Sequence, residues 1–400
     1  MTASRNRQSL DPQKVPNGTL MSAAGLRLLV TVTLNPNQIR AHLEPILALP
    51  EVAGVTLVAD KPAPEMAKLT TIVPPRLLMR LLGRAGAKLV VCLLHARRHG
   101  PHWVVAYNLM PHGINVFLVG KLTGTKTLFH LIGGTEEWQG GGWDSDNRYL
   151  KRLPRPVASL EKLFLALIRR FDAVVTMGTR SKRMLVERGA DPNRIHVIPA
   201  SVDEARFQPV EDAETLYDIV TVAQLIPRKR IQDLVAAVGD LARTRPDLKV
   251  AIVGVGPLDD DLRATVAAAG LGDVVEFLGF RRDIEAIYRQ SRVFVLTSAH
   301  EGLSIALSEA MASGLPAVVS DVSEAPDLVQ NDRNGFRYPL GDIDRLVECL
   351  SAVLDDEQQR VRFGRAAAED AREVTGLQRA RERYRELLSR GQTPSTGATG

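Results

Sequence analysis

Cysteine is almost missing from this chain: Cys92 and Cys349 are the only two in 400 residues. They lie far apart, each inside an apolar run, so neither a disulfide framework nor a metal-ligand spacing can be drawn from them. Buried, reduced thiols are the reading that fits. Aromatic residues are scarce too, at 5%, which removes stacking platforms for single-stranded nucleic acid. No stretch approaches the ~18 consecutive apolar residues of a membrane-spanning helix. The opening segment MTASRNRQSLDPQKVPNGTLMSAAG, residues 1–25, has turn formers but no apolar signal core. It reads as a disordered tail, as does GQTPSTGATG at 391–400. A formal charge of +5 falls well short of a dedicated nucleic-acid binder. A cytoplasmic protein without nucleic-acid partners is expected.

A chain of this length exceeds one ordinary core, so two domains are expected. Short apolar runs alternate with longer amphipathic stretches. In the first half the runs are LLVTVTL (28–34), KLVVCLL (88–94), WVVAY (103–107), TLFHLI (127–132) and AVVTM (173–177). In the second they are DIVTVA (218–223), KVAIVG (249–254), VVEFLG (274–279), RVFVLT (292–297) and PAVVS (316–320). Between them lie helical patterns such as IQDLVAAVGDLARTR, apolar at Ile231, Leu234, Val235, Val238 and Leu241. Alternating strand and helix implies parallel sheets in an α/β fold. Around Pro199–Pro209 periodicity stops among prolines and acids, which marks a linker. The predicted organisation is a first domain over 26–203 and a second over 204–375, two doubly wound sheets facing a cleft. The last helical stretch, 376–390, is expected to pack back on the first domain.

In such sheets ligands bind beyond the carboxyl ends of the strands. Three loops there could hold a diphosphate. In AHEGLSIALSEAMASG (299–314), Gly302 permits close backbone approach. The amides of Gly302, Leu303 and Ser304 are predicted to open a helix whose positive end favours phosphate. Glu309 then falls inside that helix among Ile305, Leu307, Ala310 and Met311. A carboxylate so placed needs a partner, and a ribose diol offers it two donors. The second loop, QLIPRKRIQDL, sets Arg228, Lys229 and Arg230 at a helix start. Cations there oppose the helix dipole unless they pair with an anion from outside; a solvated basic loop is the alternative. The third, VGVGPLDDDL, has Gly254 and Gly256 but no third glycine of a dinucleotide fingerprint. Its Asp259 and Asp261, like Asp144 and Asp146 earlier, could be read as a metal-binding pair. Neither pair directly follows a buried strand, and no metal site is expected.

These residues resemble glycosyltransferase family 4, the retaining enzymes of GT-B fold. Its signature has a strand, Glu-Gly, a second Glu eight residues after the first, and Ala-Met-Ala-Ser-Gly-x-Pro. Here the matches are Glu301, Gly302, Glu309 and AMASGLP (310–316). APDLVQNDRNGFRYPLGD (325–342) resembles the family's Asn-Gly segment, and FLGFRRDIEAIYRQSRVFVLTS (277–298), with Gly279 and Phe280, its base-binding region. More loosely, DAVVTMGTRSKRMLVERGADPNRIHVIPASVD (172–203) resembles the inter-domain approach. LMPHGINVFLVGKLTGTKTLFHLIGG (109–134) resembles the segment that brings a histidine, here His112, beside donor and acceptor. The chain departs from the pattern at Ala223-Gln224, where Gly-Arg is usual, at Ala200-Ser201, where Asn-Gly is usual, and at Ala306, where proline is common. An early glycine-rich loop is replaced by TLNPNQIRA.

The resemblance implies transfer of a sugar, with retention, from a nucleoside diphosphate sugar to an acceptor hydroxyl of a glycan or lipid-linked precursor, without metal or other cofactor. It implies roles for His112, Glu301 and Lys229 at the reacting centre. It implies donor contacts from Gln224, Arg228, Lys229, Gly254, Gly279, Phe280, Glu301, Gly302, Leu303, Ser304 and Glu309. The rival reading is a non-catalytic GT-B subunit that binds a nucleotide sugar or a partner transferase, which the missing arginine at Gln224 keeps open.

One stretch has nothing to do with that signature. Between Glu65 and Glu136 there is no acidic residue but nine Lys and Arg. Arg76, Arg80, Arg84 and Lys88 recur every four residues, with Leu77, Leu78, Leu81, Leu82 and Ala85 between them. A helix with cations on one side and leucines on the other can lie on an anionic membrane. An ordinary half-buried amphipathic helix is the competing expectation.

Overall fold

A computed structural model describes residues 25–139, 150–210 and 214–390. The two terminal tails, but for Gly25, and the Asp144–Asp146 pair lie outside the described residues.

The first domain holds seven parallel strands: β1 (Leu26–Thr31), β2 (Val52–Val58), β3 (Leu69–Ile72), β4 (Trp103–Tyr107), β5 (Lys126–Leu131), β6 (Ala173–Thr176) and β7 (Ile195–Val197). Their order is β3-β2-β1-β4-β5-β6-β7. The second domain holds β8 (Tyr217–Val222), β9 (Val250–Val253), β10 (Val275–Gly279), β11 (Ser291–Leu296), β12 (Ala317–Ser320) and β13 (Gly335–Tyr338), ordered β10-β9-β8-β11-β12-β13. Both sheets are parallel throughout. In each, the order reverses beside the first strand of the domain, the switch point where a crevice opens at the strand ends. Val30, Val105, Val220 and Phe294 on the central strands are fully buried, because helices cover both faces of a parallel sheet.

The helices are α1 (Pro36–Leu47), α2 (Arg76–His99), α3 (Ile114–Thr123), α4 (Ala158–Ile168), α5 (Thr179–Glu187), α6 (Ile231–Ala242), α7 (Asp259–Ala268), α8 (Ile284–Arg289), α9 (Ile305–Ala312), α10 (Ile343–Asp355), α11 (Glu357–Thr375) and α12 (Leu377–Arg390). Helix α12 packs against α1 of the first domain. Its Tyr384 hydroxyl lies 3.0 Å from the His130 Nε2, and Tyr107 stacks on His130 with ring centroids 4.1 Å apart. The hydrophobic core passes between the domains through Ile198, Val202 and Phe207, and the Val202 amide bonds to Thr375 at the end of α11.

Two strand readings need correction. KLVVCLL (88–94) is not a strand but the second part of α2. Ala87, Lys88, Cys92 and Ala96 are buried at helical spacing there, and a seven-residue apolar run does not by itself separate the two conformations. Strands β2, β3, β7 and β13 had no distinct run; each is short or interrupted by glycine, threonine or charge.

The kink in α2 matters for its basic face. Gly83 has φ 67° and ψ 172°, so the helix breaks there and the four-residue repeat does not lie on one continuous surface. Lys88, beyond the break, is only 2% exposed and pairs with Asp60 at 3.0 Å. It therefore cannot belong to an outward basic stripe. Arg76 and Arg80, before the break, and Arg84, just past it, are exposed. Leu77 and Leu81 are exposed as well, at 69% and 72%. Among the described residues no helix is long and apolar enough to cross a membrane.

Candidate active site

The centre of the cleft is built on the loops that follow β8 and β11. After β8 the chain makes one tight turn, Pro227–Lys229, and Arg230 takes a left-handed conformation before α6. That turn divides the three cations. Arg230 folds back onto Asp233, 2.7 Å away. Arg228 and Lys229 instead reach the loop after β11. Lys229 bonds one oxygen of Glu301, and Arg228 lies 3.2 Å from the other. The Arg228 guanidinium also donates to the His300 carbonyl at 3.0 Å, and the Ala299 amide donates to the Arg228 carbonyl at 2.8 Å. The cations are thus partnered within the protein, rather than waiting for an outside anion. Burial alone would push the Glu301 carboxyl up. Lys229 and Arg228, with help from Ser298, outweigh it and hold Glu301 ionised, below the ordinary carboxylate range.

The helix after Glu301 begins later than its sequence suggests. Ser304 is the cap of α9, its hydroxyl accepting from the Leu307 amide at 3.4 Å, so Gly302 and Leu303 lie in the turn before the helix. Gly302 faces the other domain. A Cβ there would overlap the Ile132 carbonyl oxygen and sit 3.2 Å from the Met177 side chain. Glycine is required because two backbones meet across the cleft. The facing loop is tied down by Glu137, buried, which accepts from the amides of Ile132 at 2.7 Å, Gly133 at 2.6 Å and Leu109 at 3.0 Å.

Glu309 lies one turn into α9. Among the described residues no hydrogen bond or ion pair reaches its carboxylate, and burial pushes it up to about 7. Arg206 opposes that shift from a distance, but its guanidinium is committed to Glu285 at 2.6 Å. Glu309 is only partly buried, so water meets its carboxylate until a ligand hydroxyl donates to it instead.

Other expected contacts divide. Gln224 is exposed at the mouth, as is Phe280 at 65%. Gly279 has φ 62° and open space around it. Gly254 serves a different purpose from ligand approach. A Cβ there would collide with the Ala223 carbonyl, so this glycine lets the loop after β9 pack on the loop after β8. Asp259 heads α7 and pairs with Arg263 at 2.6 Å, the usual place for an acid at a helix start.

His112 sits on the first-domain side and is 2% exposed. Its Nδ1 lies 3.0 Å from the Thr31 hydroxyl and its Nε2 3.0 Å from the Thr33 hydroxyl. Burial and the neighbouring Lys88 ammonium push its imidazole down to about 3, so it is neutral at pH 7. Thr33, exposed two residues beyond β1, also receives Lys88 at 3.1 Å and donates to Asp60 at 3.3 Å. His112 therefore stands behind Thr33, with both ring nitrogens engaged. Sequence reasoning passed over Thr31, Thr33, Asp60 and Glu137. The two threonines at alternate positions closing a strand were a usable signal; Asp60 follows a strand that had not been recognised.

Comparison with known proteins bears on this arrangement. The model for glycosyl transferases group 1 matches residues 202–370, and that for Glycosyltransferase Family 4 matches residues 50–206. The chain belongs to the family 4 glycosyltransferases. It is 32% identical over 196 residues to a putative colanic acid biosynthesis glycosyltransferase, WcaL, of Escherichia coli K12, covering 46% of this chain and 48% of that protein. Over 181 residues it is 34% identical to an Escherichia coli UDP-Gal:alpha-D-GlcNAc-diphosphoundecaprenol alpha-1,3-galactosyltransferase, covering 42% and 47%. The matched part thus spans about half the length of these curated relatives. Among solved structures, HepE of Anabaena in complex with UDP-glucose superposes with a TM-score of 0.73 at 17% identity, covering 91% of this chain and all of that one. That likeness establishes the GT-B fold of two Rossmann-like domains.

Proposed function

We propose that this chain is a retaining glycosyltransferase that moves a sugar from a nucleoside diphosphate sugar to an acceptor hydroxyl of a glycan or lipid-linked precursor. The observation that carries the reading is the pairing of an ionised Glu301, held by Lys229 and Arg228, with Glu309, eight residues further on inside α9 and without a hydrogen-bond or ion-pair partner among the described residues. Glu309 is suited to a ribose diol, Glu301 to hydroxyls of the donor sugar, and Lys229 to the diphosphate as it leaves. An arriving diphosphate competes with Glu301 for Lys229 and Arg228, which places the cations where negative charge develops. The reading routes no step through a metal. Phe280, 65% exposed, is suited to cover the base. Family members of similar sequence are named for colanic acid biosynthesis and for galactosyl transfer to a diphosphoundecaprenol-linked sugar, which supports a cell-envelope polysaccharide precursor as acceptor.

The test is release of nucleoside diphosphate from UDP-, GDP- and ADP-sugars, with bacterial lipid extract as acceptor. Acceptor-dependent release with one donor supports the reading. Nucleotide-sugar binding without any release would favour the non-catalytic subunit.

We further propose that the protein works at the inner membrane face through the first part of α2. Leu77 and Leu81 would enter the headgroup boundary while Arg76, Arg80 and Arg84 meet anionic lipid, each cation contributing about 1 kcal/mol near the surface. Co-sedimentation with phosphatidylglycerol vesicles but not with neutral phosphatidylcholine vesicles is expected. Equal recovery near zero with both would end this part of the reading.

A further inference from the structure

Helix α5 starts without a cap of its own. The residue before it is Gly178, which has no side chain to offer the first free amides. The second domain supplies the missing acceptors. From the loop after β12, Asp327 accepts from the Thr179 amide and the Thr179 hydroxyl, each at 2.5 Å. Glu324 accepts from the amides of Arg180 at 3.1 Å and Ser181 at 3.0 Å, and from the Ser181 hydroxyl. Two carboxylates at the positive end of a helix are electrostatically favourable. Glu324 is 1% exposed, and among the described residues every hydrogen bond to its carboxylate comes from the first domain. Opening the cleft would strip all of these bonds at once.

The residue before Glu324 faces the other way. Ser323 adopts a left-handed conformation, φ 48°, and its hydroxyl accepts the Glu301 amide at 3.0 Å. Two consecutive residues therefore hold the Glu301 loop and the opposite domain. The fit leaves no slack at Gly178: a Cβ there would overlap the Glu324 carboxylate and come within 2.6 Å of the Asp327 Oδ2.

We propose that Ser323, Glu324 and Asp327 are positioning residues of the donor site. Glu324 and Asp327 dock on the start of α5 to hold the cleft closed, and Ser323 carries that docking to Glu301. The link to the donor rests on the function proposed above; the docking does not.

Small-angle scattering and calorimetry with UDP, GDP and ADP test it on the full chain. The Glu324→Ala/Asp327→Ala variant should raise the radius of gyration by about 1 Å over the ~21 Å expected of a compact chain of this size. It should also weaken binding of whichever nucleotide the wild type prefers by about fivefold or more, the usual scale of coupling between a conformational state and a site. Gly178→Ala is the second variant. Its φ of −160° is extended backbone open to any residue, so the methyl group does not strain the first domain and acts only by displacing the carboxylates. It should reproduce both effects. Ser323→Ala should keep the compact radius and still weaken UDP-sugar binding. Unchanged radii in both opening variants would overturn the docking. Raised radii with unchanged nucleotide affinity would overturn the link to the donor site. If the wild type binds none of the three nucleotides, the donor reading fails by itself, and the radii alone decide the docking.

Discussion

Lys229 and Glu301 form a nearly buried ion pair between neighbouring strand-end loops, with exposures of 11% and 13%. Because Arg228 shares the same carboxylate, the pair is both a structural tie and the place where an incoming diphosphate must intrude. Donor binding and local stability are therefore coupled here, and variants of the pair should affect both.

Lys229→Ala should lower unfolding stability by about 3 kcal/mol, the lower end of the cost of orphaning a buried charge, since Arg228 remains. Adding Glu301→Ala should recover most of that loss, because the charge that remains, Arg228, is 29% exposed and still donates to the His300 carbonyl. Urea unfolding of the two variants measures this. A single variant within about 0.5 kcal/mol of wild type, the ordinary range of a surface substitution, would mean that the pair carries no structural load.

Glu309 should behave in the opposite way. Among the described residues it has no hydrogen-bond or ion-pair partner, and its carboxyl is raised from 4.5 to about 7 in the folded chain. A raised carboxyl favours folding below the unfolded value of 4.5, and that contribution is lost as pH rises through 7. Glu309→Gln should therefore stabilise the protein more at pH 8 than at pH 5. Nucleotide affinity should move inversely: in the wild type it weakens as pH falls below about 7, and in the glutamine variant that dependence flattens. Calorimetry at pH 6 and 8 checks it, and a parallel pH dependence in both proteins would remove Glu309 from the ribose.

The second domain was far more legible than the first, for physical reasons. Its strands, β13 apart, are largely apolar runs ending in loops whose glycine, glutamate and lysine residues have few structural uses together. Glu309 inside a helix and Lys229 at a helix start could be read from the residues; their roles at a donor came from the family resemblance. The connection between Lys229 and Glu301 could not be read, since the two are 72 residues apart in sequence. The carboxylates that bridge the domains were invisible for the same reason: Glu324 and Asp327 look like ordinary loop acids until α5, some 140 residues earlier, is brought against them. Lys88 shows the converse error. A repeat of four cations was legible, but the kink at Gly83 that turns the last one inward was not.

That kink separates two predictions about the basic helix. Arg80→Ser with Leu81→Ser should reduce recovery on anionic vesicles several-fold while leaving stability within about 0.5 kcal/mol, as expected of exposed positions. Lys88→Met should leave vesicle recovery unchanged but lower stability, because Asp60 loses its ammonium partner and Thr33 a donor. If Lys88→Met alone abolished vesicle binding, the inward placement of Lys88 would be wrong.

Acid should weaken the first domain through its buried histidines. Burial lowers His42 to about 4 and His112 to about 3, and it pushes His130 well below its ordinary value. The unfolded chain binds these protons near pH 6.5 while the folded chain does not, so the stability present above pH 6.5 is lost as pH falls toward 4. At pH 5 each such histidine costs about 2 kcal/mol relative to pH 7, from 1.36 kcal/mol per pKa unit. His42 is the cleanest probe, because its Nδ1 has no hydrogen-bond partner and its ring lies 5.0 Å from Tyr107 in the core. His42→Leu should shrink the gap between urea midpoints at pH 7 and pH 5 without harming the fold at pH 7. Tyr384→Phe, which removes the hydroxyl that meets His130, should instead cost about 1 kcal/mol at both pH values, the net worth of one hydrogen bond. If the gap stays as wide in His42→Leu as in wild type, the acid sensitivity comes from some other group.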